Sequence, residues 1–94
     1  MKIKYTPKFY EKLEEIAAYI FTQSQSNQTT SDYIKGLQEH IEVSLTSFPQ
    51  MGRPAEEFGN NIRKLVHKRY SILYKIDENY ILVITIYREN LPKL

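Results

Sequence analysis

The chain predicts an α+β domain, with an N-terminal strand and an antiparallel helical hairpin packed on a C-terminal antiparallel sheet (β-α-α-β-β-β). Two periodicities and one connector support this. From Ile62 to Arg88, Val, Ile, Tyr and Leu dominate. There Tyr70, Ile72, Tyr74 and Ile76 alternate with Ser71, Leu73 and Lys75, the period of two of a half-buried strand. Before residue 50 the apolar residues recur at steps of three and four, the stripe of an amphipathic helix. Between these regions lies Phe48-Pro-Gln-Met-Gly-Arg-Pro54, whose prolines and glycine dictate a fixed path from helix to sheet.

Taken in order, Lys2-Ile-Lys-Tyr-Thr6 alternates charge with Ile3 and Tyr5, which predicts a short strand at a sheet edge or along the C-terminal strands. Thr6-Pro7 opens a helix, because a threonine oxygen caps free N–H groups and proline suits the first turn. Phe9, Leu13, Ile16, Ala17, Ile20 and Phe21 form its stripe. The pattern fails near Thr22, and the polar run Gln23–Gln28 reads as a loop. A second helix is expected from Thr29 or Thr30, with Asp32 in the first turn, where the helix dipole favours negative charge. Its stripe is Ile34, Leu37, Ile41, Leu45 and Phe48, and Pro49 stops it. Gly36 interrupts it at a cost of roughly 1 kcal/mol against Ala, unless it admits the first helix closely.

Glu56–Asn60 reads as an acidic loop. Three strands follow, broken at His67-Lys68 and at Asp77-Glu78-Asn79. Tyr80–Tyr87 is almost wholly apolar or β-branched, so it is expected to be the central strand, covered on both faces. Leu13, Ile41 and Ile84 are expected in the core, and Glu89–Leu94 is a tail that Pro92 bars from pairing.

Ninety-four residues suffice for one domain spanning 1–94, with a single core. The net charge of +2 hides an asymmetry. Residues 1–50 hold five Lys against six acids, whereas residues 51–94 hold eight Lys or Arg against five. A polyanion or an acidic partner is therefore expected at the C-terminal half. The chain has no Cys, which excludes disulfides and thiol nucleophiles. No apolar run approaches the ~20 residues of a membrane span, and a cytoplasmic protein without cofactor is expected. His40 and His67 have no further ligand at useful spacing, so no metal site is expected.

Between Asn60 and Ile76 lie Arg63, Lys64, Lys68, Arg69 and Lys75, without one acid. Arg88 ends a strand whose preceding seven residues are uncharged. Arg63, Lys64, Lys68, Arg69 and Arg88 are the expected target-binding residues, gathered on one accessible surface. Cleavage of RNA by its 2′-OH would need a proton acceptor and a cation on the phosphorane. Arg63, Arg69 and Arg88 could supply the charge, and His67 or Tyr87 the proton transfer. A solvated turn histidine is the simpler reading of His67, packing is the simpler reading of Tyr87, and His40 reads as surface. Arg53 is expected to brace the connector through backbone carbonyls or Glu56/Glu57. Tyr70, Tyr74, Tyr80 and Tyr87 suit nucleic-acid stacking or a protein interface, although β-propensity accounts for most of them.

Ile16-Ala-Ala-Tyr-Ile20, the connector, Ile62-Arg63, Arg69-Tyr-Ser-Ile-Leu-Tyr-Lys-Ile76 and Ile84-Thr-Ile-Tyr-Arg88, in that order, resemble the RelE/ParE superfamily of bacterial toxin–antitoxin toxins. The resemblance covers nearly the whole chain. It implies a small growth-inhibiting toxin silenced by an antitoxin, whose partly disordered segment would fold onto the groove between hairpin and sheet. The superfamily holds two activities: RelE-like members cleave mRNA on the ribosome, and ParE-like members inhibit DNA gyrase. RelE-like chains typically carry an arginine one place after the tyrosine that opens the third sheet strand. Here Ser71 follows Tyr70, and no tyrosine or histidine follows Arg88. Gly52-Arg53-Pro54 is also the ParE-like or plasmid-stabilisation form. The resemblance therefore favours a gyrase inhibitor over a ribosome-dependent endoribonuclease, with a member that only binds its antitoxin as a third reading.

Overall fold

A computed structural model describes residues 1–89. The elements run β1 (Lys2–Tyr5), α1 (Pro7–Ser24), α2 (Asn27–Ser47), β2 (Arg53–Pro54), a single 3₁₀ turn (Glu56–Phe58), β3 (Ile62–His67), β4 (Tyr70–Ile76) and β5 (Tyr80–Arg88). The sequence-derived order holds, with the two-residue strand β2 added inside the connector. Most of the expected C-terminal tail lies outside the described residues.

Thr6 starts α1 as expected, its hydroxyl accepting from Phe9 N at 3.0 Å. The hairpin loop is only Gln25-Ser26, much shorter than the predicted Gln23–Gln28. Gln25 takes a left-handed conformation (φ 55°) and returns its N–H to Phe21 O, while Ser26 Oγ caps α2 by accepting from Thr29 N. These polar residues serve as helix caps, which is why hydrophobic periodicity alone misplaced the boundary.

The sheet order is β1-β5-β4-β3-β2. β1 lies at the edge and pairs parallel to β5, with Ile3 opposite Ile81, so the sheet is mixed. The remaining pairs are antiparallel. Phe9, Leu13 and Ile16 from α1, with Leu37, Ile41 and Leu45 from α2, pack on one face against Leu65, Tyr70, Ile72, Tyr74, Ile81, Val83 and Ile86.

The central strand is β4, where Tyr70 to Tyr74 are all buried, and not Tyr80–Tyr87 as the apolar run suggested. β5 alternates between buried and half-buried positions before its exposed last residue, because the helices cover only one of its faces. A bulge breaks its register: Leu73 faces Thr85 but Tyr74 faces Val83, leaving Ile84 as the extra residue. Ile84 is accordingly half-buried rather than central to the core. Its carbonyl accepts the Thr6 hydroxyl at 2.5 Å, while Val83 O accepts Thr6 N–H at 3.1 Å, so the cap of α1 also pins the bulge.

The connector is held from inside. Tyr74 is fully buried; its hydroxyl donates to Pro49 O at 2.7 Å and accepts from Gly52 N at 2.8 Å. Glycine is required at 52, because a Cβ there would stand 2.7 Å from Tyr74 Cε1 and 2.8 Å from Lys64 O. Gly36 is different: a Cβ there would meet no atom within 4 Å, so close helix approach does not explain it.

Gly36→Ala is therefore expected to raise unfolding free energy by about 0.5–1 kcal/mol through helix propensity. Tyr74→Phe is expected to lower it by about 1–3 kcal/mol, because a buried N–H loses its acceptor. Urea unfolding followed by circular dichroism measures both.

Candidate functional site

Residues directly opposite across paired strands share a sheet face, so the register assigns each candidate a side. Arg63 opposes Tyr74, His67 opposes Tyr70, and Tyr70 opposes Arg88, which places Arg63, His67 and Arg88 on the helix-packed face. Lys64 opposes Leu73, and Tyr87 opposes Ser71, on the reverse face. Adjacent Tyr87 and Arg88 thus point to opposite sides. The expected single surface of five cations does not form; they divide among three places.

Arg63 belongs to the connector. Its Nε donates to Gly52 O at 2.9 Å and its Nη2 to Gln50 O at 3.2 Å. Arg53 also acts there, as expected, donating to Pro54 O and pairing with Glu57 at 3.0 Å. A hollow of about 800 Å³ lies beside this segment. Met1, Phe48, Pro49, Met51 and Ile76 line much of it, and none of its lining side chains is charged.

On the reverse face Lys64 pairs with Glu89, which also accepts a hydrogen bond from the fully buried Ser71. The bond to Glu89 holds the Lys64 ammonium above its usual pKa, and Lys64, followed by Ser71, holds the Glu89 carboxyl below its own. Tyr87 stands beside this pair, its ring centroid 5.8 Å from Lys64 Nζ and 6.2 Å from the Phe58 ring. Ser71, the residue after Tyr70, lies beneath a charge pair that is already neutral.

The third place is the end of the sheet, where the β3–β4 turn and the last residue of β5 meet the helical hairpin. Lys68 turns the chain in a left-handed conformation (φ 56°), and its Nζ lies 5.4 Å from the Tyr33 ring centroid. Arg69 O accepts Glu89 N–H at 2.7 Å, drawing the turn to the end of β5. The Arg88 guanidinium lies 4.5 Å from the centroid of Tyr19, a residue of α1. Lys68, Arg69 and Arg88 take part in no ion pair among the described residues. Sequence inspection missed Tyr19 and Tyr33 as partners of these cations. Both lie on helices remote in sequence, and no local signal joins them to the sheet.

The histidines depart from the surface reading. His67 and His40 stack at 3.6 Å with 22° between their planes, and both are half-buried between β3 and α2. His40 also contacts Ser44 Oγ at 3.4 Å. Burial, then His40 and Lys68, push the His67 pKa below its usual value. Among the described residues no group of three or more His, Cys, Asp and Glu could hold a metal ion.

This fold, a helical hairpin on a mixed sheet, is that of solved toxin–antitoxin proteins. It superposes with a TM-score of 0.76 on a chain of the chromosomal ParDE toxin–antitoxin system from P. aeruginosa, at 16% identity over 96% of this chain and 97% of that one. A chain of the RelBE2 toxin–antitoxin complex from Mycobacterium tuberculosis gives 0.67, at 15% identity over 94% and 96%. No curated protein sequence matches. The family model for the ParE toxin of type II toxin–antitoxin systems, parDE, matches residues 3–90, and the chain belongs to that family.

The histidine stack makes a pH prediction. An unfolded histidine takes its proton near about 6.5, whereas folded His67 takes it only at lower pH, so the folded state binds fewer protons between these values. The stability contributed by neutral His67 is complete above the unfolded pKa and is lost as pH falls through the folded one. The melting temperature should thus fall from about pH 7 to about pH 5 more steeply in the wild type than in His67→Gln. Equal slopes in a thermal melt series would exclude the effect.

Proposed function

We propose that this ParE-type toxin, when free of its antitoxin, inhibits DNA gyrase through protein contact in the cytoplasm and does not cleave RNA. The observation carrying this reading is that the candidate proton-transfer groups and the arginines divide between the two faces of the sheet. His67 is stacked on His40 between sheet and helix, and Tyr87 faces the opposite side of the sheet. Arg63 is engaged with connector carbonyls, and Arg88 lies beside Tyr19. General acid–base catalysis needs its proton acceptor within hydrogen-bond reach of the 2′-OH, at about 2.6–3.2 Å, with a cation on the same phosphate. Tyr87 and Arg88 line one hollow but project from opposite faces of β5. A contact surface carries no such requirement, and Lys68, Arg69 and Arg88 at the sheet end suit it. The antitoxin is the expected physiological partner, covering the groove between hairpin and sheet.

With purified gyrase, added toxin is expected to abolish supercoiling of relaxed plasmid in a dose-dependent manner, and pre-mixed antitoxin to restore it. Messenger RNA incubated with ribosomes and toxin should remain intact. Intact supercoiling together with cut message would assign the chain to the ribosome-dependent endoribonuclease class instead.

A further inference from the structure

We infer that the apolar hollow beside the connector is the seat of a second copy of this chain, joined about a two-fold axis in a reversible dimer. The inference goes beyond the toxin reading and does not depend on which target the toxin meets.

Exposure supplies the first argument. Phe48 ends the apolar stripe of α2 in the sequence, yet it is 64% exposed. As the C-cap it has left the helix, at φ −138°, and its ring stands outside the core. Met1 and Met51 are 53% and 48% exposed, and all three line the same hollow of about 800 Å³. An exposed ring next to a hollow is a knob beside a hole. An isologous interface needs both on one surface, because each copy must supply what the other receives.

The hollow is also prepared for an occupant. The Tyr74 hydroxyl holds the Pro49 carbonyl and Arg63 holds that of Gln50, so little backbone freedom remains to be lost on binding. Met1 and Met51 supply an adaptable side, since unbranched thioethers fit irregular shapes.

Charge decides which surface can meet its own twin. No side chain lining the hollow is charged. Pairing of two β1 edges would instead set Lys2 and Lys4 against the same lysines of the other copy. Pairing of two sheet ends would do the same for Lys68, Arg69 and Arg88, and such like-charge contacts are costly.

Area sets the strength. At roughly 150–250 Å² for a large side chain, these exposures leave about 100 Å² on each of Met1, Phe48 and Met51. Two copies, with the rest of the rim, then cover on the order of 1,000 Å², the lower bound of a specific interface. A dissociation constant of about 10–100 µM is expected. The hollow lies at the Ile76 end of β4, about 20 Å along the strand from Tyr70, so the dimer leaves both cationic sheet ends free.

The test is sedimentation velocity on the whole protein from about 5 to about 500 µM, at about 0.1 M and about 1 M salt. A shift from monomer to dimer is expected across this range, undiminished at high salt because the contact is apolar. Phe48→Ser and Met51→Glu should each raise the dissociation constant about tenfold or more. Val43→Ala, at an apolar residue of α2 that is 65% exposed, should leave it unchanged. Phe48 and Met51 are exposed, so both variants keep the fold, which circular dichroism checks. A monomer throughout, loss of the dimer at high salt, or equal weakening by Val43→Ala would each overturn the inference. Phe48-dependent uptake of Nile red, a neutral apolar dye, by a chain that stays monomeric would reassign the hollow to a small ligand.

Discussion

The Tyr74 hydroxyl is the interaction on which the rest of the architecture depends. It stands at the centre of the sheet, fully buried, and spends both its donor and its acceptor capacity on the segment that leaves α2. That segment must turn from the helix layer to the sheet edge, and its backbone polar groups need partners as it does so. Tyr74 satisfies two of them, and Arg63 two more from the neighbouring strand. Gly52 lets the chain pass close enough for these bonds. The motif Phe48-Pro-Gln-Met-Gly-Arg-Pro54 is therefore the outer half of a clamp whose inner half is the Arg63 and Tyr74 pair.

A second constraint decides which way the end of β5 faces. Ile81 and Val83 look towards the helices, and strict alternation would send Thr85 and Tyr87 after them. The bulge at Ile84 reverses the parity, so that Ile86 joins the core and Arg88 follows it towards the hairpin. Thr6 holds the bulge through its hydroxyl and N–H while capping α1. One threonine thus links the start of the first helix to the direction in which the last arginine points.

Much of the fold was legible in the sequence, since helix stripes, strand breaks, the threonine cap and the connector all follow from local periodicity and turn chemistry. What was not legible depends on residues distant in the chain. The parallel seat of β1, the stacking of His40 on His67 and the pairing of Lys64 with Glu89 each join elements that no local pattern connects. The bulge was hidden for another reason. It falls in a run without polar alternation, and its extra residue is an isoleucine rather than a telltale glycine. For the site, the positive charge was visible but its allocation was not. Arg63 and Lys64 are consumed internally, and only the tertiary structure sets Lys68, Arg69 and Arg88 apart from them.

That allocation bears on how one fold serves more than one activity. Cations on the reverse face, around Tyr87, would stand over an open sheet where an RNA strand could lie. In this chain that position is held by Ser71 and the Lys64–Glu89 pair, which cancel one another's charge. Lys2, Lys4 and Lys75 on the reverse face are also outside any ion pair among the described residues, while Lys68, Arg69 and Arg88 stand at the sheet end beside the helices. Their neighbours are tyrosine rings and small hollows, features suited to side chains more than to a nucleotide backbone. The parity of β5 and the choice of serine after Tyr70 therefore act together. One orients the last arginine towards the hairpin, and the other places a neutral hydroxyl beside the Lys64–Glu89 pair.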